Sequence, residues 1–141
     1  MLRMRVLTAV CVVSVCVVAG AGAQTTDSAR YAEILELIDD NLHFSRHFTR
    51  AVTGETIADL RDEVTPADIP VLIEILADED GRARVAASGL LATLGDAALP
   101  ALEAAKESPD YRVSLAASDA LNLIAECRRN PAGINPDACP R

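Results

Sequence analysis

The segment RARVAASGLLATL, residues 82–94, returns 30 residues later as RVSLAASDALNLI, residues 112–124. Both segments begin with arginine and carry Ala-Ala-Ser, followed by leucine at the same spacing. The offset of 30 also holds outside them, without a gap. It pairs Leu72 with Leu102, Asp80 with Asp110, Arg82 with Arg112, Ser88 with Ser118 and Leu91 with Leu121. A repeat of this length is typical of proteins built from stacked repeat units.

The pattern of each unit predicts two helices joined by a turn, at residues 78–81 in the first unit and at the equivalent residues 108–111 in the second. Thr65 or Asp68 can cap the first helix, a proline falls in its first turn, and Gly95 ends the second helix. The apolar stripes of the first unit are Ile69, Leu72, Ile73 and Leu76, then Ala83, Ala86, Ala87, Leu90, Leu91 and Leu94. The second unit has Leu99, Leu102 and Ala105, then Val113, Ala116, Ala117, Ala120, Leu121 and Ile124.

The composition favours closely packed helices. Half of the 141 residues are apolar, but only 3% are aromatic and none is Trp, so the core must consist of Ala, Leu, Ile and Val. Alanine pairs let two helices approach closely, and the remaining apolar face of each hairpin must then be covered by neighbouring hairpins. The sequence therefore predicts an all-α fold, a short α-solenoid of antiparallel helical hairpins with two repeats in residues 65–126.

The segment DEDGRARVAASGLLATLGDAALPAL, residues 78–102, resembles a HEAT repeat, and more narrowly the short HEAT-like repeats also found in phycobilin lyase subunits. Their pattern D-x-D-x-x-V-R-x-A-A-x-x-A-L-x-x-I-G-D is matched at Asp78, Asp80, Arg84, Ala86, Ala87, Leu91, Leu94, Gly95 and Asp96. The second unit departs from it at Ser114, where the family has arginine. The resemblance implies a HEAT-like fold but little about function. Lyase activity is not expected, because no catalytic residue is matched.

Residues 24–64 predict a divergent N-terminal capping unit, since terminal repeats are commonly atypical. Ser28 can cap a helix whose apolar stripe is followed by a second piece bearing Phe44 and Phe48. Thr53 and Gly54 interrupt the pattern before it resumes. The apolar residues are Tyr31, Ile34, Leu35, Ile38 and Leu42, then Ile57, Leu60 and Val64.

Residues 1–23 have the features of a cleaved export signal. Arg3 and Arg5 precede a 15-residue apolar run, and the small residues 21–23 form an A-x-A type site, so cleavage is expected after Ala23. The expected location is periplasmic or secreted, with no membrane association after cleavage. The alternative is an uncleaved N-terminal membrane anchor, for which the apolar run is marginally short.

The chain is acidic, with 21 Asp and Glu against 13 Lys and Arg and a formal net charge of −8. Loss of the leader removes two arginines and no acid, so the net charge of the mature chain is −10. An acidic surface repels phosphate backbones, which argues against nucleic acid as a partner.

The mature chain retains two cysteines, Cys127 and Cys139, in a segment rich in Pro, Gly and Asn. Two close cysteines in an exported protein favour a disulfide that closes the C-terminal loop, residues 127–141. A redox or metal role is the alternative, but the cysteines have neither C-x-x-C nor C-x-x-C-H spacing.

One stretch has metal-ligating residue types at helical spacing. Asp39, His43 and His47 are four residues apart, which places them along one helix face and lets two imidazoles reach one ion. However, no glutamate stands between the histidines as in H-E-x-x-H, and no further ligand follows. Both histidines can equally be neighbours of the two phenylalanines at a helix end. A metal-binding protein or metal-dependent enzyme centred here is the second hypothesis.

The first hypothesis is a protein-interaction module. G-x-S-x-G, glycine-rich phosphate loops and P-loop lysines are missing from the sequence, so we expect neither enzyme activity nor a cofactor. In repeat arrays equivalent residues of successive second helices line a binding wall for a protein or peptide. The candidate surface comprises Arg82, Val85, Ser88, Arg112, Leu115, Ser118, Asp119 and Asn122. We expect Val85 and Leu115 to pack between adjacent hairpins, since a solenoid needs such contacts. The alternative is that both are exposed and form a small apolar groove for a peptide or a partner helix.

Overall fold

The computed structural model describes residues 21–42, 54–130 and 139. These residues form helices without any strand among them, which confirms the all-α class. The helices are α1 (Ala21–Leu42), α2 (Gly54–Arg61), α3 (Ile69–Ile75), α4 (Gly81–Thr93), α5 (Leu99–Lys106) and α6 (Tyr111–Arg129). Two 3₁₀ turns, Pro66–Asp68 and Gly95–Ala97, lead into α3 and α5.

The helices pack as consecutive hairpins, α1 with α2, α3 with α4 and α5 with α6. First helices also contact first helices, α1 with α3 and α3 with α5. Second helices contact second helices, α2 with α4 and α4 with α6, and α1 in addition contacts α4. The middle hairpin therefore has a neighbouring hairpin on both sides.

The second helices α4 and α6 begin in the same way. The predicted turn places Asp80 before α4 and Asp110 before α6. Their backbone conformations are nearly identical, with φ −74° and ψ 112° at Asp80 and φ −77° and ψ 111° at Asp110. Their carboxylates accept the backbone N–H of Arg82 at 2.8 Å and of Arg112 at 2.9 Å. Such a cap stabilises a helix by about 1 kcal/mol. Gly95, with a φ of 57°, follows α4 in the left-handed conformation that glycine adopts without strain.

The core lies between the helices and is built from small and branched side chains. The predicted stripe of α4 is confirmed, with only Leu94 partly exposed. In α3 the fully covered positions are Val71, Leu72, Ile75 and Leu76. The predicted Ile69 and Ile73 are only partly buried and pack at the edge of the core. The buried face of this short helix is therefore rotated relative to the predicted face.

Helix α2 follows the same register as α4. Its buried residues Ile57 and Leu60 stand 30 positions before Ala87 and Leu90, which are also buried. A β-carbon at Gly89 would lie 2.8 Å from Cδ1 of Ile57, so the glycine allows a close contact between α2 and α4. The offset of 30 therefore reaches into the N-terminal unit.

Residues 21–28 are already part of helix α1, so Ser28 does not cap it and the predicted cap is wrong. Residues 21–27 contain no proline that would end a helix, and the helix continues back through them. Its stripe is confirmed at four positions, with Ile34 and Ile38 buried and Tyr31 and Leu35 partly covered, while the side chain of Leu42 lies outside what the structure describes. Residues 1–20 and 43–53 lie outside the described residues. They carry most of the predicted leader, Phe44 and Phe48, and the two histidines.

A charged contact joins α1 to the start of α3. Arg30 donates from Nε to Asp68 at 2.8 Å and from its guanidinium to the carbonyl oxygen of Glu63 at 2.7 Å. The backbone N–H and the hydroxyl of Thr65 donate to the same carboxylate at 2.8 and 3.0 Å. The hydrogen bond from Arg30 is the main reason that the pKa of Asp68 lies below its usual range. Asp68 is buried, and this contact satisfies its charge.

Replacing Arg30 with alanine is expected to lower the free energy of unfolding by about 2 kcal/mol at neutral pH, because Asp68 then keeps a buried charge with fewer partners. In the wild type, stabilisation by the ionised carboxylate is present above the unfolded-state pKa of about 3.9 and lost as the pH falls through the lower folded-state pKa. Urea unfolding between about pH 5 and about pH 2 measures this loss, which should be smaller in Arg30→Ala.

The control is Glu33→Gln, which removes the exposed partner of Arg30, and a cost below about 0.5 kcal/mol is expected. The position equivalent to Asp68 in the next hairpin is Ala98, which is fully buried. Arg30→Ala with Asp68→Ala should therefore recover part of the loss. If the double variant were less stable than the wild type by the sum of the two single-variant losses, no coupling between the two residues would exist.

The predicted disulfide between Cys127 and Cys139 is confirmed and closes a segment with a sequence separation of 12. Both residues are buried. Helix α6 runs to Arg129, so Cys127 lies in its last turn rather than in the loop that follows. None of the described helices combines the length and the apolar character needed to cross a membrane.

Candidate interaction surface

Val85 of α4 and Leu115 of α6 occupy equivalent positions and are both exposed. Their accessible fractions are 51% and 46%, and Tyr111, one turn before Leu115, is 75% exposed. Packing between adjacent hairpins would have covered the first two side chains, so the expectation that they pack there is wrong. An exposed apolar pair therefore runs across neighbouring second helices.

Arg82 and Arg112 are exposed, and each folds back on the aspartate that caps its own helix. The guanidinium–carboxylate distances are 2.7 Å to Asp80 and 3.1 Å to Asp110. These hydrogen bonds raise the pKa of both arginines and lower the pKa of both aspartates. The arginine charges on this edge are therefore largely neutralised within each turn.

Ser88 does not belong to an accessible surface. It is buried, and its hydroxyl donates to the carbonyl oxygen of Ala116 at 3.0 Å, which joins α4 to α6. Ser118 has the equivalent place in α6 but donates to Ser114 of its own helix at 2.8 Å and is partly exposed. The predicted equivalence of the two serines holds in sequence, but only the first lies between two second helices of the described chain.

Ser118 and Asn122 line a groove of about 470 Å³ between α5 and α6, here called the end groove, which Leu115 does not line. The groove also involves Leu99, Glu103, Lys106 and Leu121. Asp119 is exposed one turn after Leu115 and shares the face of that residue. Of the predicted residues in α6, Ser118 and Asn122 therefore line the end groove, whereas Leu115 and Asp119 do not.

Of the three residues in the metal hypothesis, the structure describes Asp39, whereas His43 and His47 lie outside the described residues. Asp39 is exposed and borders a pocket of about 180 Å³ with Asp78 and Asp80. Asp78 already accepts the hydroxyl of Tyr31 at 2.8 Å and the backbone N–H of Asp80 at 2.8 Å. Burial and the bond to Asp78 raise the pKa of Tyr31 to about 12. In the described part of the chain no three potential ligands converge on one metal position.

Comparison with family models, with curated proteins and with solved structures gave no match to this chain. Two residues of the exposed surface were not predicted, Tyr111 and Asp59. Asp59 is exposed on α2 and stands 30 residues before Gly89 and 60 before Asp119, so extension of the repeat offset would have identified its position.

Proposed function

We propose that this protein is a HEAT-like stack of three helical hairpins that acts as an exported protein-interaction module without enzyme activity or cofactor. The packing supports a stack, because first helices contact first helices and second helices contact second helices along the chain. The observation that carries the binding function is the exposure of Val85 and Leu115 at equivalent positions. Exposed apolar residues at equivalent positions of neighbouring helices form one apolar patch, and such patches are typical of interaction sites.

The outer face of the last hairpin supports a stack that ends at α6. Glu103, Lys106 and Asn122 occupy the positions that Ile73, Leu76 and Ala92 hold in the middle hairpin. Leu76 and Ala92 are completely buried there, in the hairpin that has a neighbour on both sides. Terminal repeats need a polar outer face for solubility, and these three exchanges provide one.

The variant Glu103→Ile, Lys106→Leu, Asn122→Ala should expose an apolar end and self-associate at about 0.1 mM protein. Sedimentation velocity over a concentration series measures the association. Glu36→Ile with Asp40→Leu adds apolar surface at exposed positions of α1 and is the control, expected to remain at the wild-type size. A triple variant that sediments like the wild type would contradict the assignment of this face as the end of the stack.

Export is supported by the disulfide, since such bonds form and persist in oxidising compartments. A signal cleaved after Ala23 remains our expectation for the N-terminus. Intact mass of the protein secreted by its native host tests both features together. The expected mass is that of residues 24–141 less two hydrogens.

Site-specific photo-crosslinking in the native host tests the binding function. A photoreactive benzophenone side chain at position 115 should capture a discrete protein, identified by mass spectrometry. The same group at Glu36, exposed on α1, is the matched control and should not capture that protein. Capture of nothing at position 115 and at position 85, or the same proteins at all three positions, would overturn the proposed function.

A further inference from the structure

The exposed apolar pair is flanked by carboxylates at equivalent positions of the second helices. Asp59 of α2 and Asp119 of α6 stand 30 residues to either side of Gly89 in α4. Both aspartates are exposed. Leu115 and Asp119 are one helical turn apart, as are Val85 and Gly89, so these positions share the same face of their helices. Asp59, Val85, Leu115 and Asp119 are here called the second-helix surface.

The two carboxylates have no partner among the described residues, whereas the nearby arginines do. Neither Asp59 nor Asp119 makes a hydrogen bond or ion pair within the part of the chain that the structure describes. Arg82 and Arg112 are held by Asp80 and Asp110 at the start of α4 and α6. The unpaired charge on the second-helix surface is therefore negative, in agreement with the net charge of −8 of the whole chain.

The spacing of these residues defines a complementary ligand. Adjacent packed helices are about 8–10 Å apart, so the apolar pair spans one such step. Asp119 lies about one turn, near 6 Å, from Leu115 on the same helix, and Asp59 lies one helix step, about 8–10 Å, beyond α4. An amphipathic helix presents apolar side chains at three- and four-residue spacing and can place basic side chains one turn away. Helical surfaces without a free sheet edge bind partners in this way rather than by strand addition.

We propose that the second-helix surface binds an amphipathic helix of another protein, with Lys or Arg beside its apolar stripe. Val85 and Leu115 receive the apolar side chains, and Asp59 and Asp119 pair with the basic ones. This assignment rests on the proposed interaction function and adds the chemistry of the partner. Positive charge on the partner helix also speeds its encounter with this acidic protein and makes the binding sensitive to salt.

The probe is a synthetic 18-residue amphipathic helix of Leu and Lys, compared with versions in which Gln or Glu replaces every Lys. Titration into the isotope-labelled full mature chain is followed by two-dimensional NMR. The Lys peptide should shift the amide signals of residues 59, 85, 115 and 119, and bind about fivefold or more tightly than the Gln peptide at low salt. The Glu peptide should not bind.

Two variants and a control assign the interaction to this surface. Val85→Ser with Leu115→Ser should abolish binding of the Lys peptide, and Asp59→Asn with Asp119→Asn should weaken it about fivefold or more. Glu36→Gln with Asp40→Asn removes two exposed acids from α1 and should leave the affinity within about twofold of the wild type. Circular dichroism confirms that each variant is folded before titration.

The outcomes separate the partner chemistry from the interaction function. Equal binding of the Lys and Gln peptides, or an unchanged affinity in the Asp59→Asn, Asp119→Asn variant, overturns the basic partner but leaves a binding surface in place. Amide signal shifts that spread over α1 and α3 would also overturn the assignment of the peptide to the second-helix surface. A concentration-dependent dimer of the protein alone, lost on Leu115→Ser, assigns the surface to a second copy of this chain and overturns it as well. Failure of the crosslinking at position 115 instead removes the interaction function.

Discussion

Replacing Leu91 with alanine is expected to lower the free energy of unfolding by about 3–4 kcal/mol, whereas Leu121→Ala should cost only about 1–2 kcal/mol. The two leucines are equivalent in the repeat. Leu91 has no accessible surface, because its hairpin has neighbours on both sides. Leu121 is partly exposed and lines the end groove. The same truncation therefore leaves a cavity in the first case and mainly enlarges an open groove in the second.

Urea unfolding followed by circular dichroism gives both free energies under one set of conditions. Leu115→Ala is the control for the loss of an exposed leucine, and a cost below about 1 kcal/mol is expected since nearly half of this side chain is accessible. Equal losses at positions 91 and 121 would mean that the last hairpin is covered as completely as the middle one. In that case the end groove would not be the end of the stack.

The sequence predicted the helices because local signals and the repeat agreed. Asp80 and Asp110 cap the second helices, Gly95 follows the end of a helix, and the apolar stripes occur at helical spacing in both repeat units. Each of these signals acts within a few residues of chain, so one sequence suffices to read it. The prediction that Ser28 caps α1 was wrong because a serine caps a helix only if the residues before it are not helical. Residues 21–27 are helical.

The surface was predicted less well because exposure depends on distances between helices. Val85 and Ser88 both lie off the main apolar stripe, yet one is exposed and the other is buried against Ala116. Helical spacing gives the direction of a side chain but not how close the next hairpin comes. The contact from Arg30 to Asp68 spans 38 residues, and no local pattern indicates it.

Removing the Cys127–Cys139 disulfide is expected to lower the free energy of unfolding by about 3 kcal/mol. The sequence separation is 12, and closing a loop of that length restricts the unfolded chain by about this amount in the chain-entropy model. For a domain of this size, the melting temperature should fall by more than about 10 °C. The double variant Cys127→Ala, Cys139→Ala measures the loss in thermal unfolding followed by circular dichroism.

Reduction of the wild-type protein separates the cross-link from the packing of the two sulfur atoms. Dithiothreitol leaves both buried side chains in place, so the reduced wild type should lose nearly as much stability as the double variant, and the variant should not respond to reductant. The single variant Cys139→Ala should behave like the reduced protein. A wild type that unfolds at the same temperature with and without reductant would show that α6 is held by its contacts with α4 and α5 alone. The disulfide would then serve only the residues beyond Arg129, and its loss would increase their cleavage by protease without changing the unfolding of the helices.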